Sequence, residues 1–477
     1  MPDATPAHEP ASAAARAHEP AVPRVPRVPG HEAPTGHAPG RVAAWVGLAV
    51  ALVLIAAAMI IPAATGWNVR VRWFPPLHAE WMPRLGPGTI AAVVLGGLAV
   101  AYAARIAGRA RYGWLLLWVY LAASAWLLSL ALVDGLDGIG VILDTQYEYM
   151  NTARAVTDFG ATLQEYISRI PLDSVDNWPV HIAGHPPGAL LFFYVLVQVG
   201  LDTGLAAGFA VLFVAATTPV AVLLTLRRLG AEDSARLAAP FLVFGPAAIW
   251  MAVSGDGMFA AVAAWGICAL AYSATAASRG AMIAWSAASG LILGYCVMLS
   301  YGLPLLGVLA VTVLVIGRTW KPLPGAIVAA LAVVLAFAVA GFAWWEAYPV
   351  LVERYWAGIA TRRPIEYWIW GNFAALAFSA GPLVGAAVAV AIARVRGFRT
   401  LTPALATTVL LALAGLAMVV LADLSGMSKA EVERIWLPFV PWMLVGTALL
   451  PPAWRRPGLV LQVVFAIVVQ HLLFTGW

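Results

Sequence analysis

The chain has 477 residues, 62% of them apolar and only 11% charged, with a mean hydropathy of +0.86 and a formal net charge of +5. A soluble domain carries about 45–50% apolar and about 25% charged residues, so this composition excludes an ordinary globular protein and a disordered one alike. Apolar stretches of about 20 residues, enough to cross a hydrocarbon core about 30 Å thick, recur from residue 42 onward without the alternation of a membrane β-barrel.

Residues 1–40 contain nine prolines and four of the eight histidines, His8, His18, His31 and His37, and almost nothing large and apolar. Residues 1–41 are therefore expected to be a disordered tail, whose histidines offer metal ligands but no fixed geometry. The first apolar run follows at full transmembrane length, so no cleaved signal peptide is expected. The predicted membrane domain, 42–477, contains thirteen apolar runs, at 42–63, 87–104, 114–133, 204–226, 236–254, 258–277, 282–300, 302–317, 324–343, 372–393, 401–421, 435–451 and 458–474. The segment 188–201 is too short to cross and is expected to be re-entrant or interfacial. Cys268 and Cys296 lie within apolar runs as small buried hydrophobes, so no disulfide framework is expected.

If 188–201 does not cross, 18 of the 28 basic residues fall on the cytoplasmic side with the tail, as the positive-inside rule requires. The expected architecture is an all-α polytopic protein of about thirteen transmembrane helices in the cell membrane, N-terminus cytoplasmic and C-terminus outside. The same topology puts 17 of the 23 acids on the outer face. Orientation does not require that excess, so it points to chemistry there. The outer loops are 134–203, 344–371 and 422–434.

Four constellations stand out. Asp137, Asp144 and Glu148 belong to an acidic stretch leaving the third run, where partial desolvation raises a carboxylate's pKa and suits general-base work. His185 precedes Pro186-Pro187, which stiffen the backbone at the membrane surface. Asp256 interrupts about forty uncharged residues at the end of the fifth run, either as a functional ionisable group or as the N-cap of the next helix. Arg362, Arg363, Lys429 and Arg434 are outer cations, suited to a lipid phosphate or to pairing with acids such as Glu431 and Glu433. The surrounding tryptophans and tyrosines fit an interfacial belt. No phosphate loop, dinucleotide fingerprint, HExxH or GxSxG is present, and the inner loops are too short for a nucleotide domain.

An acidic outer loop, a His-Pro-Pro closing it, a span ending in Arg227-Arg228-Leu229-Gly230 and an Asp at the outer end of the next span together resemble the GT-C superfamily over roughly residues 114–320. Those are integral membrane glycosyltransferases that use polyprenyl-phosphate sugars, among them protein O-mannosyltransferases and aminoarabinose transferases. Here the acidic loop follows the third span instead of the first, and the usual acidic pair is spread over 134–148. The resemblance implies an enzyme of cell-envelope glycan or glycolipid synthesis. A base from Asp137, Asp144 and Glu148 would deprotonate an acceptor hydroxyl as it inverts the anomeric carbon. His185, Asp256 and Glu433 would line the cavity, and Arg362, Arg363, Lys429 and Arg434 would hold the phosphate of the donor. A divalent cation, magnesium or manganese, could assist. The implied partners are the polyprenyl-phosphate sugar, a glycan or lipid acceptor and membrane lipids, with no nucleic acid. The rival class, a multispan transporter or lipid flippase, predicts charges inside spans and broken helices at matching positions of two halves.

Overall fold

The computed structural model describes residues 38–476, so the tail over residues 1–37 and its four histidines lie outside the described residues. The first helix, Ala38–Thr65, already includes the last residues assigned to the tail. The described residues are 75% helical and nearly all-α. Its only strand pairing among the described residues is antiparallel, Glu80–Trp81 with Leu473–Phe474, between the first long loop and the C-terminal segment.

Among the described residues eight helices have the length and apolarity to cross a membrane: Gly40–Thr65, Thr89–Arg109, Tyr112–Asp134, Gly204–Arg228, Gly255–Ala274, Arg279–Leu299, Pro403–Leu424 and Pro452–Leu472. Two bent pairs raise the number to ten. These are the helices of a polytopic membrane protein. The remaining three predicted runs, 236–254, 302–317 and 435–451, consist of shorter helices. Proline accounts for this: Pro246 separates Glu232–Val243 from Ala247–Met251, Pro304 opens Leu303–Ile316, and Pro438 and Pro441 interrupt 435–451. Pro187–Gln198 is a 12-residue helix, too short to cross.

The ends of the short segments are fixed by contacts to other helices. Arg236 donates to the carbonyls of Ala107 and Ala110 at one end, and Asp256 meets Arg434 at the other. Gly188 abuts Met298 at the end that carries the acidic loop, while Gly317 abuts Ala274 at the far end. Arg434 lies in the first group and Arg394, whose guanidinium donates to the Leu449 carbonyl, in the second.

Helices surrounded by lipid gain nothing from mutual hydrophobic burial, so close packing and satisfied backbone groups must hold them. Gly290 and Gly294, spaced GxxxG, let Arg279–Leu299 approach Leu323–Val339 so closely that a Cβ at Gly290 would lie 2.2 Å from the Ala326 carbonyl. The bend of 109° between Ile365–Ser379 and Leu383–Val395 occurs at Gly381, whose φ of +78° suits glycine. The backbone freed there is satisfied from another helix: Gln462 Nε2 donates to the Ala380 carbonyl at 2.8 Å, and its Oε1 accepts from the Leu383 amide at 3.4 Å.

Gln462→Leu removes both bonds at a fully buried position. It is expected to cost about 1–3 kcal/mol, read as a lower thermal midpoint in detergent micelles. A midpoint equal to that of the unsubstituted protein would show that the bend does not depend on Gln462.

Candidate functional site

Five segments converge at the acidic end of the bundle. Asp134 closes a long helix and passes the chain into short helical turns, Asp137–Gly140, Ile142–Asp144 and Tyr149–Ala155. The four-residue helix Val180–Ala183 carries His181. The helix Gly255–Ala274 starts at Ser254, whose Oγ accepts from the Gly257 amide at 3.1 Å. The cap is therefore Ser254, which leaves Asp256 free to pair elsewhere. Val432–Ile435 contributes Glu433 and Arg434, and its entry turn holds Ala430 and Glu431 at φ of +68° and +63°. Asn372 pins that turn, donating to Asp423 and to the Ser428 carbonyl and accepting from the Ala430 amide.

A buried chain of polar contacts links these segments. Arg434 Nη1 lies 2.5 Å from Asp256 Oδ2, and its Nη2 lies 3.3 Å from His181 Nε2. His181 Nδ1 lies 2.7 Å from Glu148 Oε1. Glu148, Asp256 and Arg434 are each no more than 4% exposed. Burial acts against the charge of Arg434, but Asp256, Glu148 and Glu431 more than offset it and hold the guanidinium ionised. Burial likewise opposes ionisation of Glu148, while His181 and then Arg434 hold its carboxyl below the usual range. Glu148 Oε2 has no protein partner.

Glu431 links Arg434 to a second group: its Oε1 lies 3.0 Å from Arg363 and 3.6 Å from His78. Burial opposes ionisation of Glu431, yet Arg363 and Arg434 pull its carboxyl down to about 2. Burial pushes His78 below its usual range, more than Glu431 raises it. Glu433 is fully buried with both oxygens unpaired, and burial raises its carboxyl to about 7.

A cavity of about 680 Å³ opens beside this chain. Of the residues singled out from sequence, Asp137 and Glu148 line it. Asp144 does not: its carboxylate takes Arg154 at 2.5 Å and the Gly204 amide at 3.1 Å, so it ties the acidic stretch to the following helix. His185 lies behind the wall, its Nδ1 donating toward the His181 carbonyl and the Tyr149 hydroxyl. Asp256 and Arg434 are one layer behind Glu148. Arg363 is paired with Glu431 and with the Lys429 carbonyl, and Lys429 Nζ donates to the carbonyls of Ala360 and Arg363 and lies over the Trp356 ring. Arg362 is exposed and away from the cavity. The arginines that do line it are Arg72 and Arg84, beside the imidazoles of His78 and His181. Arg84 is clamped by both oxygens of Asp134, which also accepts from Gln470, while Arg72 only approaches Glu80 at 3.5 Å.

Arg72, His78, Arg84 and His181 were not singled out from sequence, whereas Glu431 was named as a possible partner of the outer cations. A signal was available for the two arginines: Arg72 and Arg84, with Arg70, lie in a loop that the expected topology puts on the outer face, against the positive-inside trend. His181 was overshadowed by His185 and its two prolines. Among the described residues no group of three or more His, Cys, Asp or Glu is arranged to hold a metal ion. Among the described residues the side chains therefore do not fit a protein-held divalent cation, and the positive charge available to an anionic ligand is that of Arg72 and Arg84.

Glu433 makes the site sensitive to pH in a defined direction. Its carboxyl titrates near 4.5 unfolded and near 7 folded, so the native state holds an extra proton between those values. That contribution is complete below 4.5 and disappears as the pH rises through about 7. Glu431, shifted the other way, loses its contribution only toward about 2 and does not interfere. The thermal midpoint is expected to fall between about pH 5 and about pH 8, and Glu433→Gln to remove part of that fall. Identical slopes would show that Glu433 does not carry the proton.

No protein-family profile matches this chain, and no curated protein matches it.

Proposed function

We propose that this protein is a membrane glycosyltransferase that moves a sugar from a polyprenyl-phosphate donor to an acceptor hydroxyl on the extracytoplasmic face. The observation that carries the reading is Glu148: a buried, ionised carboxylate lining the cavity, one oxygen held by His181 and the other without a protein partner. A group in that state accepts a proton from a hydroxyl brought within hydrogen-bond reach. As the acceptor oxygen forms its bond to the anomeric carbon, its proton passes to Glu148 and the bond from that carbon to the phosphate oxygen breaks. Arg72 and Arg84, with His78, lie on the wall where the leaving phosphate's charge would be met. Asp137 lines the same cavity and is the second candidate base. The volume suits a sugar with part of its acceptor.

The reading includes thirteen crossings, with the tail cytoplasmic and the C-terminus outside. The contacts that fix the ends of the short segments support it, as does the assembly of Glu148, Asp256 and Arg434 at one end. The transporter alternative draws support from the two bent helix pairs, but both lie in residues 323–395 and do not occupy matching halves.

The test is transfer by the purified protein in nanodiscs, supplied with polyprenyl-phosphate sugars and a cell-envelope glycan acceptor. Glu148→Gln is expected to lower turnover by about 10²–10⁴-fold, and Asp137→Asn to lower it less. Asp144→Asn is expected to act mainly on stability. Transfer undiminished in Glu148→Gln would remove it as the base. Absence of turnover with every such donor, alongside movement of labelled lipid between leaflets, would favour transport.

A further inference from the structure

The two ring nitrogens of His181 face groups of opposite kinds. Nδ1 lies 2.7 Å from a carboxylate oxygen of Glu148, which accepts, and Nε2 lies 3.3 Å from Nη2 of Arg434, which can only donate. A guanidinium remains protonated in proteins, so only a bare ring nitrogen can bond to it. An imidazolium would set one N–H against another at Nε2. The neutral ring with its proton on Nδ1 satisfies both neighbours. Arg434 is itself fixed by Asp256 at 2.5 Å and by Glu431 at 3.5 Å. The contacts therefore run in order from Asp256 through Arg434 and His181 to Glu148, each donor oriented by the group behind it.

We propose that Arg434 and Asp256 are positioning residues for Glu148: they hold His181 as the neutral Nδ1–H tautomer, whose single proton is donated to Glu148 Oε1, leaving Oε2 to receive the proton of the acceptor. The ionised groups around the ring are Glu148 from the acidic loop, Arg434 and Glu431 from the turn at 430–435, and Asp256 beyond Arg434; His185 lies one helical turn along. Three carboxylates favour an imidazolium by charge alone, and the Arg434 hydrogen bond opposes it. The tautomer is thus a specific consequence of Arg434 and not of the general field. It also explains why a guanidinium is kept 4% exposed without touching the cavity. The role given to Glu148 rests on the glycosyl-transfer reading, whereas the tautomer does not.

Two measurements test this separately. In nanodisc-embedded protein labelled with ¹⁵N-histidine, the His181 resonances are identified as those lost in His181→Asn. They are expected to show one protonated and one bare nitrogen, Nδ1 and Nε2 respectively, from about pH 5.5 to about pH 8.5. Asp256→Asn, which loosens Arg434 at nearly constant shape, is expected to let the ring titrate within that range. An imidazolium at neutral pH, or a proton on Nε2, in the unsubstituted protein would overturn the proposal. In turnover, asparagine places an N–H where Nδ1–H stood, so His181→Asn is expected to stay within about tenfold of the unsubstituted enzyme while His181→Ala loses about 10²-fold or more. Equal losses in the two variants would overturn the positioning role. If the unsubstituted protein transfers no sugar, the glycosyl-transfer reading fails and the spectrum still decides the tautomer.

Discussion

A guanidinium buried in a low-dielectric interior is tolerable only when counter-charges and hydrogen bonds replace the water it has lost. Arg434 meets that demand with Asp256, His181 and Glu431, groups that come from three different parts of the chain. The acidic loop, the start of the helix Gly255–Ala274 and the turn before residue 435 must therefore come together for any of them to be stable. Removing one partner from such a pair costs about 3–5 kcal/mol, far more than its formation yields over an apolar pair. Assembly of the site and closure of this end of the bundle are in this sense one event.

The backbone around the site follows from the same demand. Arg434 reaches Asp256 from a turn whose Ala430 and Glu431 occupy left-handed conformations, unusual for residues with a Cβ. Asn372, on a helix that is itself bent further along, satisfies the polar groups of that turn. The backbone freed at that bend is bonded in turn by Gln462 of the C-terminal helix. The C-terminal segment continues into the strand pairing that fixes the loop bearing Arg84, whose guanidinium meets Asp134 at the cavity wall. Irregular backbone at membrane depth is tolerated only where protein groups satisfy it, and here those groups also shape the cavity.

The cavity combines two electrostatic characters. Glu148 and Asp137 supply acceptors, while Arg72 and Arg84 supply positive charge on the same wall. Its mouth includes Val141, Tyr147 and Val180, all about half exposed, so a ligand with an apolar portion meets compatible surface on entry. A hydroxyl nucleophile and an anionic leaving group attached to a lipid place these three requirements together.

Composition and the lengths of the apolar runs determined the class: with 11% charge spread over 477 residues, the chain has no other solvent than a bilayer for its helices. Some ionisable residues were also legible: Asp256 because isolated charge in apolar surroundings is costly, Glu148 as part of an acidic stretch leaving a run, and Arg434 as a cation on the outer face. Pairing was not legible. Whether Arg363 and Lys429 meet a phosphate or a carbonyl depends on which loops meet, and residues 66 apart in sequence carry no local signal of that; Asp144 and Arg154 are only 10 apart, but the fold of their loop decides that they pair. Helix continuity was only half legible: the prolines at 246, 304, 438 and 441 were visible, but only the packed bundle decides whether a broken segment still passes from one end to the other. His181 owes its place entirely to tertiary structure, since its two nitrogens acquire distinct tasks only when Glu148 and Arg434, 286 positions apart, arrive on either side of the ring.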